Sequence, residues 1–406
     1  MTTTEAVLTT APDFAADAAE ILPELVALRR ALHADPELGL DLPRTQAKVL
    51  EALEGLPLEI TTGTATTSVV AVLRGALPGP TVLLRGDMDA LPLDEATGLD
   101  YASTNGAMHA CGHDLHTAGL VGAARLLAAH RDRLAGSVIF MFQPGEEGDG
   151  GAKVMIDEGL LDAAGDRPVG AYAIHMAPGP RGVFGTRPGP VMAGAATLHV
   201  TVNGRGGHGS QPQHALDPVP AAAEIVLALQ SFVTRSFDAF DPVVLSVTRM
   251  STGEGAINVI PEQVDLGATV RFMSAASLET LREGLPRVAE GVAAAHGLTA
   301  DVRFEEYYPA TVNDAAETAF TVETLAGVFG ERRIMTMPTP VMGSEDFSFV
   351  LDEVPGTFLM LMASPPDIDP ATAEFNHSPR VLFDDAVLGD QAAALATVAF
   401  ARTARG

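Results

Sequence analysis

The segment Met108-His109-Ala110-Cys111-Gly112-His113-Asp114-Leu115-His116 gathers three histidines, a cysteine and an aspartate into nine residues. Thiolate and imidazole are good ligands for Zn²⁺ and related divalent metals, and carboxylates complete a catalytic set. Farther along, Pro144-Gly145-Glu146-Glu147-Gly148 sets two adjacent glutamates in a glycine-rich loop. Neighbouring carboxylates that point apart can divide the work: one binds metal, the other acts as general base on metal-bound water. Asp87, Asp89, His175 and His377 are further candidates. Taken singly, each has a plainer explanation. Loop carboxylates are usually solvated, aspartates cap turns, and a lone histidine is often a satisfied strand-end residue.

Their placement argues otherwise. Helical apolar spacing marks residues 20–33, 44–53 and 115–130, whereas 68–74, 81–85, 137–143 and 171–174 read as strands, with Pro78-Gly79-Pro80 as a turn. Asp87 and Asp89 follow the second strand, Glu146 and Glu147 the third, and His175 the fourth. In open α/β sheets the ligand crevice lies at the carboxyl ends of the strands. The alternation of helices and strands predicts an α/β fold, a mixed sheet with helices on both faces.

From about residue 192 the texture changes. Strand 196–203, helix 218–234, strands 243–250 and 264–273, helix 277–296 and strand 298–305 follow in turn. This β-α-β-β-α-β order predicts an inserted ferredoxin-like unit over 192–306. The catalytic domain is then 14–191 with 307–406, closed by helices at 315–329 and 385–402 and a strand at 357–362. The glycine-rich run Asn203 to Ser210 lacks the Lys-Ser/Thr ending of a phosphate loop and reads as a tight bend presenting His208.

Composition sets bounds. The formal net charge of −27 disfavours nucleic acid as a partner and suits a site that collects cations. No apolar run is long enough to span a bilayer. Met1 to Asp13 has no basic start followed by an apolar stretch, so a loose tail and a cytoplasmic location are expected. The single cysteine, Cys111, excludes an internal disulfide.

The motifs Gly86-Asp87-Met88-Asp89-Ala90-Leu91-Pro92, Met108 to His116, Gln143 to Gly148, Ile174-His175, Gly206 to Pro212, Met342 to Phe347 and Asn376-His377 follow in this order. Together they resemble the amidohydrolase branch of the metallo-aminoacylase/carboxypeptidase family, over about residues 28–400. The resemblance implies a catalytic domain with a smaller lid domain that is often the dimerisation surface. It implies two divalent metals (Zn, Mn, Co or Ni) held by Cys111, His113, Glu147, His175 and His377, with Glu146 as the base. His208 matches a lid histidine that stabilises the transition state and reaches towards a partner subunit's site. Asn258 and Arg271 lie where related enzymes hold the substrate carboxylate. The family's carboxypeptidases carry His-x-Asp where this chain has Asp87-Met88-Asp89, and a bridging aspartate where it has Cys111. Asp87 and Asp89 are therefore expected to support ligands rather than bind metal, with Asp89 or Asp114 orienting a ligand histidine.

The implied reaction is hydrolysis of the amide of a small N-acyl amino acid, by a homodimer joined through the lid domain. Three alternatives remain: a carboxypeptidase or dipeptidase on the same site, a hydrolase using Cys111 as nucleophile, and a binding protein without catalysis. The Glu146-Glu147 pair argues against the last, because binding needs no base beside a ligand.

Overall fold

A computed structural model describes residues 11–405, and the expected N-terminal tail lies largely outside them. The chain divides into two compact units. One comprises residues up to Val191, Val312–Thr339 and Asp346 onward; the other comprises Met192–Thr311 and Pro340–Glu345. The strand expected to end at 305 continues to Tyr308, which carries residues 307–311 into the second unit. Residues 340–345, expected in the catalytic domain, also group with the second unit.

The first unit is built on an eight-stranded mixed sheet. Its order is Leu58–Thr62, Val69–Arg74, Ala135–Gln143, Leu77–Asp87, Ala171–Ala177, Gly356–Met362, Phe184–Thr186 and Ile334–Thr336. The four central strands, from Ala135–Gln143 to Gly356–Met362, run parallel. They read as near-continuous apolar runs because they are covered on both faces. Val138 to Phe142 and Val82 to Leu84 are fully buried. Their carboxyl ends lie on one edge of the sheet, which brings Asp87, Gln143 and the end of Ala171–Ala177 side by side.

Helices Phe14–His33, His113–Ala129 and Val387–Thr403 pack on one another and share a core with the sheet. The first starts at Phe14, earlier than the apolar spacing indicated. The Asp13 side chain accepts the Ala16 N–H at 3.1 Å and caps it. Pro78-Gly79-Pro80 is not a turn. It lies within the strand Leu77–Asp87, where the register shifts between Leu77 and Thr81 and relieves the ladder of the missing proline donors.

The second unit has a four-stranded antiparallel sheet ordered Val244–Ser251, Gln263–Phe272, Gly194–Asn203, Thr299–Tyr308. Helices Pro218–Ser236 and Ala275–Ala295 cover it and supply a separate core around Ile225, Leu229, Leu281 and Leu285. Strand Val244–Ser251 is an edge, and its side chains are largely exposed.

Candidate metal centre

Three local devices set out the ligands of the first unit. Helix His113–Ala129 starts at His113 because Gly112 adopts φ 86°, a left-handed conformation that glycine reaches without strain. A Cβ at Gly112 would also meet Met176 at 3.0 Å. The loop after Ala135–Gln143 turns at Gly145, φ 73°, where a Cβ would lie 2.4 Å from Leu40. His377 is the only described non-glycine residue with positive φ, 71°, and its N–H is tied to the Ala110 carbonyl at 2.9 Å. A left-handed conformation costs an ordinary residue about 1–2 kcal/mol and persists where its surroundings enforce it.

These devices bring together all five expected ligands. Donor atoms of Cys111, His113 and His175 lie within 4.8 Å of one another, and so do those of Cys111, Glu147 and His377. The sulfur belongs to both groups, so it is placed to be shared by two ions. Glu146 joins a further group with His113 and Glu147 on the same limit.

Each expected ligand is oriented by its other side. His175 Nδ1 donates to the Met176 carbonyl at 2.8 Å, leaving Nε2 towards the Cys111 sulfur at 3.4 Å. His113 Nδ1 donates to the Asp89 carbonyl at 2.8 Å. Its buried Nε2 makes no hydrogen bond and lies 3.4 Å from Asp87 Oδ2 and 3.9 Å from Glu147 Oε1. His377 Nε2 lies 3.3 Å from the same oxygen. Two imidazoles converging on one carboxylate, one with an orphaned buried nitrogen, fit a cation-binding set. Sulfur, imidazole and carboxylate donors suit Zn²⁺ and its transition-metal neighbours.

The charge balance agrees. Burial and the neighbouring His116 push the His175 imidazole well down, so it stays neutral. Burial opposes protonation of His113, but the adjacent Asp87 carboxylate raises it well above its usual range. Hydrogen bonds to Cys111 and Glu147 push His377 up to about 10. Burial would raise Glu147, yet His377 and His113 hold it below the ordinary carboxylate value. Without metal, His113 and His377 attract protons in its place.

Asp87 and Asp89 serve as supports. Asp89 Oδ1 accepts the Glu146 N–H at 2.9 Å and Oδ2 the Glu147 N–H at 3.0 Å, which fixes the two-glutamate loop. Asp87 Oδ1 accepts from His116 Nδ1 at 2.6 Å, while His116 Nε2 accepts the Met176 N–H at 2.7 Å. Both His116 nitrogens are thus occupied. Asp87, His113 and His116 also lie within metal-holding distance, but here His116 reads as a prop for the Met176 peptide. Burial would push the Asp87 carboxyl up, but Arg85, His113 and His116 hold it well below the usual range.

Asp114 does something else than expected. Its Oδ2 accepts from Arg29 Nε and His33 Nδ1, both at 2.7 Å, and no hydrogen bond joins it to a ligand histidine. Successive helix residues are about 100° apart, so Asp114 faces away from the side that His113 presents.

Four residues at this site, Arg85, Gln143, Asp346 and Asn376, carry no role that the sequence alone indicated. The Arg85 guanidinium lies between Asp87 Oδ2, at 2.8 Å, and Asp346 Oδ1, at 3.2 Å. Gln143 Nε2 donates to both Asp346 oxygens, at 2.7 and 2.8 Å. Burial pushes the Asp346 carboxyl up to about 6, against the pull of Arg85. Asn376 Nδ2 contacts the carbonyls of Cys111 and Met176 at 3.3 and 3.0 Å. The motifs around these residues held the only signal.

The remaining candidates belong to the second unit. His208 pairs with Val259 in a two-residue ladder and shares with Asn258 a depression of about 480 Å³, lined also by Gly206 and Glu262. Arg271 is elsewhere. It lies eight residues past Gln263 on an unbroken strand, about 26 Å at ~3.3 Å per residue. Its guanidinium donates to Thr269 Oγ1 at 2.9 Å. One copy of this unit therefore does not bring Arg271 together with His208 and Asn258.

The family model "Peptidase family M20/M25/M40" matches residues 83–400. This chain belongs to that family. It is 36% identical over 392 residues to "Thermostable carboxypeptidase 1" of Saccharolobus solfataricus, covering 95% of this chain and 97% of the relative. It is 35% identical over 366 residues to "N-acetylcysteine deacetylase" of Bacillus subtilis, covering 89% and 93%. A crystal structure of a Bacillus subtilis "Dinuclear Metal Binding Peptidase from M20 Family" superposes with a TM-score of 0.82 at 31% identity, over 95% of this chain and 99% of that one. The M20 chain is a metal-dependent amidohydrolase, and the donor groups around Cys111 are where divalent metal fits.

Proposed function

We propose that this enzyme hydrolyses the amide bond of small N-acyl amino acids, with Glu146 as general base. The observation that carries the proposal is the sharing of one sulfur by two donor groups, with Glu146 beside them. Cys111, His113 and His175 would hold one divalent ion and Cys111, Glu147 and His377 a second, with Zn, Mn, Co and Ni all compatible with the donors. When bound, such ions polarise a carbonyl and acidify water. The chain's own part is to hold Glu146 within reach of that water, accept a proton on its carboxylate and return it to the leaving amine. Asp89 fixes the loop in which this happens.

The second unit acts in this reading as a ferredoxin-like lid. Its strand order, with one helix after the first strand and one after the third, supports the name. His208 would stabilise the developing oxyanion, while Asn258 and Arg271 would bind the substrate carboxylate. The separation of Arg271 from the other two suits a homodimer in which each copy contributes to both sites. Exposed apolar side chains on the second unit (Leu227, Phe240, Ile257 and Val259) and its open edge strand support a lid-to-lid interface. Sedimentation of a monomer at micromolar concentration would count against it.

No described helix is long and apolar enough to cross a membrane. A cytoplasmic location suits a site whose sulfur must stay reduced.

The carboxypeptidase relative keeps a second reading open, cleavage of peptides at the same centre. The deciding experiment measures bound metal and the hydrolysis of N-acetyl and N-benzoyl amino acids beside dipeptides, before and after chelation. Chelator-sensitive, metal-restored release of amino acid from the N-acyl panel is expected. Faster cleavage of dipeptides would favour the second reading. Activity that survives chelation and is lost on alkylation of Cys111 would overturn both.

A further inference from the structure

We infer that Asn376 is a positioning residue that hydrogen-bonds the Cys111 sulfur and sets how strongly that sulfur donates to its metals; this rests on the reading of Cys111 as a shared ligand. Asn376 Nδ2 lies 3.7 Å from Cys111 Sγ, 3.3 Å from the Cys111 carbonyl and 3.0 Å from the Met176 carbonyl. The orientation of the amide follows from chemistry, since reversing it would press an oxygen against two carbonyl oxygens. The amide can donate two hydrogens to these three acceptors, and the sulfur lies within reach of one of them.

The position couples both donor groups. The next residue is the ligand His377, whose N–H is held by Ala110. The Met176 carbonyl that receives Asn376 also receives Nδ1 of the ligand His175. One side chain therefore touches the shared sulfur, the peptide that orients His175 and, through the chain, the strained His377. A hydrogen bond to a metal-bound thiolate draws electron density from sulfur and tunes the metal it serves. That is useful where one sulfur must serve two cations.

A simple tie between loops would use the same two carbonyl contacts, so the test must read the sulfur itself. Metal-free full-length protein is titrated with Co²⁺, following the sulfur-to-cobalt charge-transfer band in the near ultraviolet and the dissociation constant. Asn376→Ala and Asn376→Asp remove the N–H donors. Asn376→His restores one, because imidazole Nδ1 occupies the same place along the side chain as the amide nitrogen. Removing the donors should move the band to longer wavelength, because the sulfur then donates more strongly, and should weaken Co²⁺ binding by roughly 10-fold or more, because the ties to the Cys111 and Met176 carbonyls that place the ligands are lost; His should reverse the band shift. An unchanged band in the Ala variant overturns the proposal even if its metal-free melting temperature falls, because Asn376 is then only a loop tie. Absence of the band from the wild type, with Cys111→Ser as reference, overturns the ligand reading itself and the inference with it.

Discussion

Asp89→Asn isolates the support of the two-glutamate loop from the ligands themselves. The carboxylate is fully buried, and its two oxygens accept the N–H groups of Glu146 and Glu147 at 2.9 and 3.0 Å. A hydrogen bond to a charged acceptor is worth about 1.5–3 kcal/mol, and a buried donor left unpaired costs about 1–3 kcal/mol. Asparagine keeps one carbonyl oxygen for one N–H and turns an NH₂ group against the other. The net loss is about 2–4 kcal/mol for the loop conformation that aims Glu146, or roughly 30- to 1000-fold in its population at 1.4 kcal/mol per decade. The closer His113 contact, to the Asp89 backbone carbonyl at 2.8 Å, survives the change, and only the longer approach to Oδ1 at 3.5 Å is altered. The expected result is kcat/KM on an N-acyl amino acid lowered about 100-fold, with metal content near that of the wild type. Activity within threefold of wild type would refute the claim that this carboxylate positions the base. Parallel loss of metal and activity would show that it acts through Glu147.

Three further outcomes are expected. Glu146→Gln should retain metal and lose about 10²–10⁴-fold in kcat, read from steady-state rates beside metal analysis. Arg85→Leu leaves Asp87 and Asp346 buried without their cation and should destabilise the metal-free protein by about 3–5 kcal/mol in denaturant unfolding, and a loss under 1 kcal/mol would contradict the pairing. His33 gives a pH signature. Burial opposes its charge, but Asp114 and Glu95 prevail over burial and Arg29 and raise it to about 9 from an ordinary 6.5. Its stabilisation is therefore complete below about pH 6.5 and fades as pH rises through about 9, a term on the order of 3 kcal/mol. Between pH 6.5 and 9.5, metal-free wild type should lose more unfolding free energy than His33→Gln, and equal losses would remove His33 as the cause.

What was legible in the fold was whatever strong apolar runs write locally. The central parallel strands are buried on both faces, so their Val, Ile, Leu and Phe residues stand out. The edge strand Leu58–Thr62 is mostly exposed and carries no such run, and Phe184–Thr186 and Ile334–Thr336 are three residues each. Tertiary pairing makes them strands, and no local pattern reports it. Pro78-Gly79-Pro80 misled for the opposite reason. It has turn composition, but the register shift beside it lets the strand continue.

The same division runs through the site. Cys111 and His113 are two residues apart, Glu146 and Glu147 are adjacent, and His175 ends a buried run, so chemistry and spacing pointed to them. The residues packed around these side chains come from far along the chain. Arg85 meets Asp346 across 261 residues, Asn376 meets Cys111 across 265, and Arg29 meets Asp114 across 85. Asp114 shows why adjacency is a poor guide to these partners. It sits beside His113, yet helix geometry turns it towards the buried Arg29 and His33, while Asp89, 24 residues before His113, supplies the carbonyl that holds the imidazole. A ligand's identity is fixed by its donor atom, which the sequence states. Its orientation is fixed by whatever faces the other nitrogen or oxygen, which only the folded chain brings there.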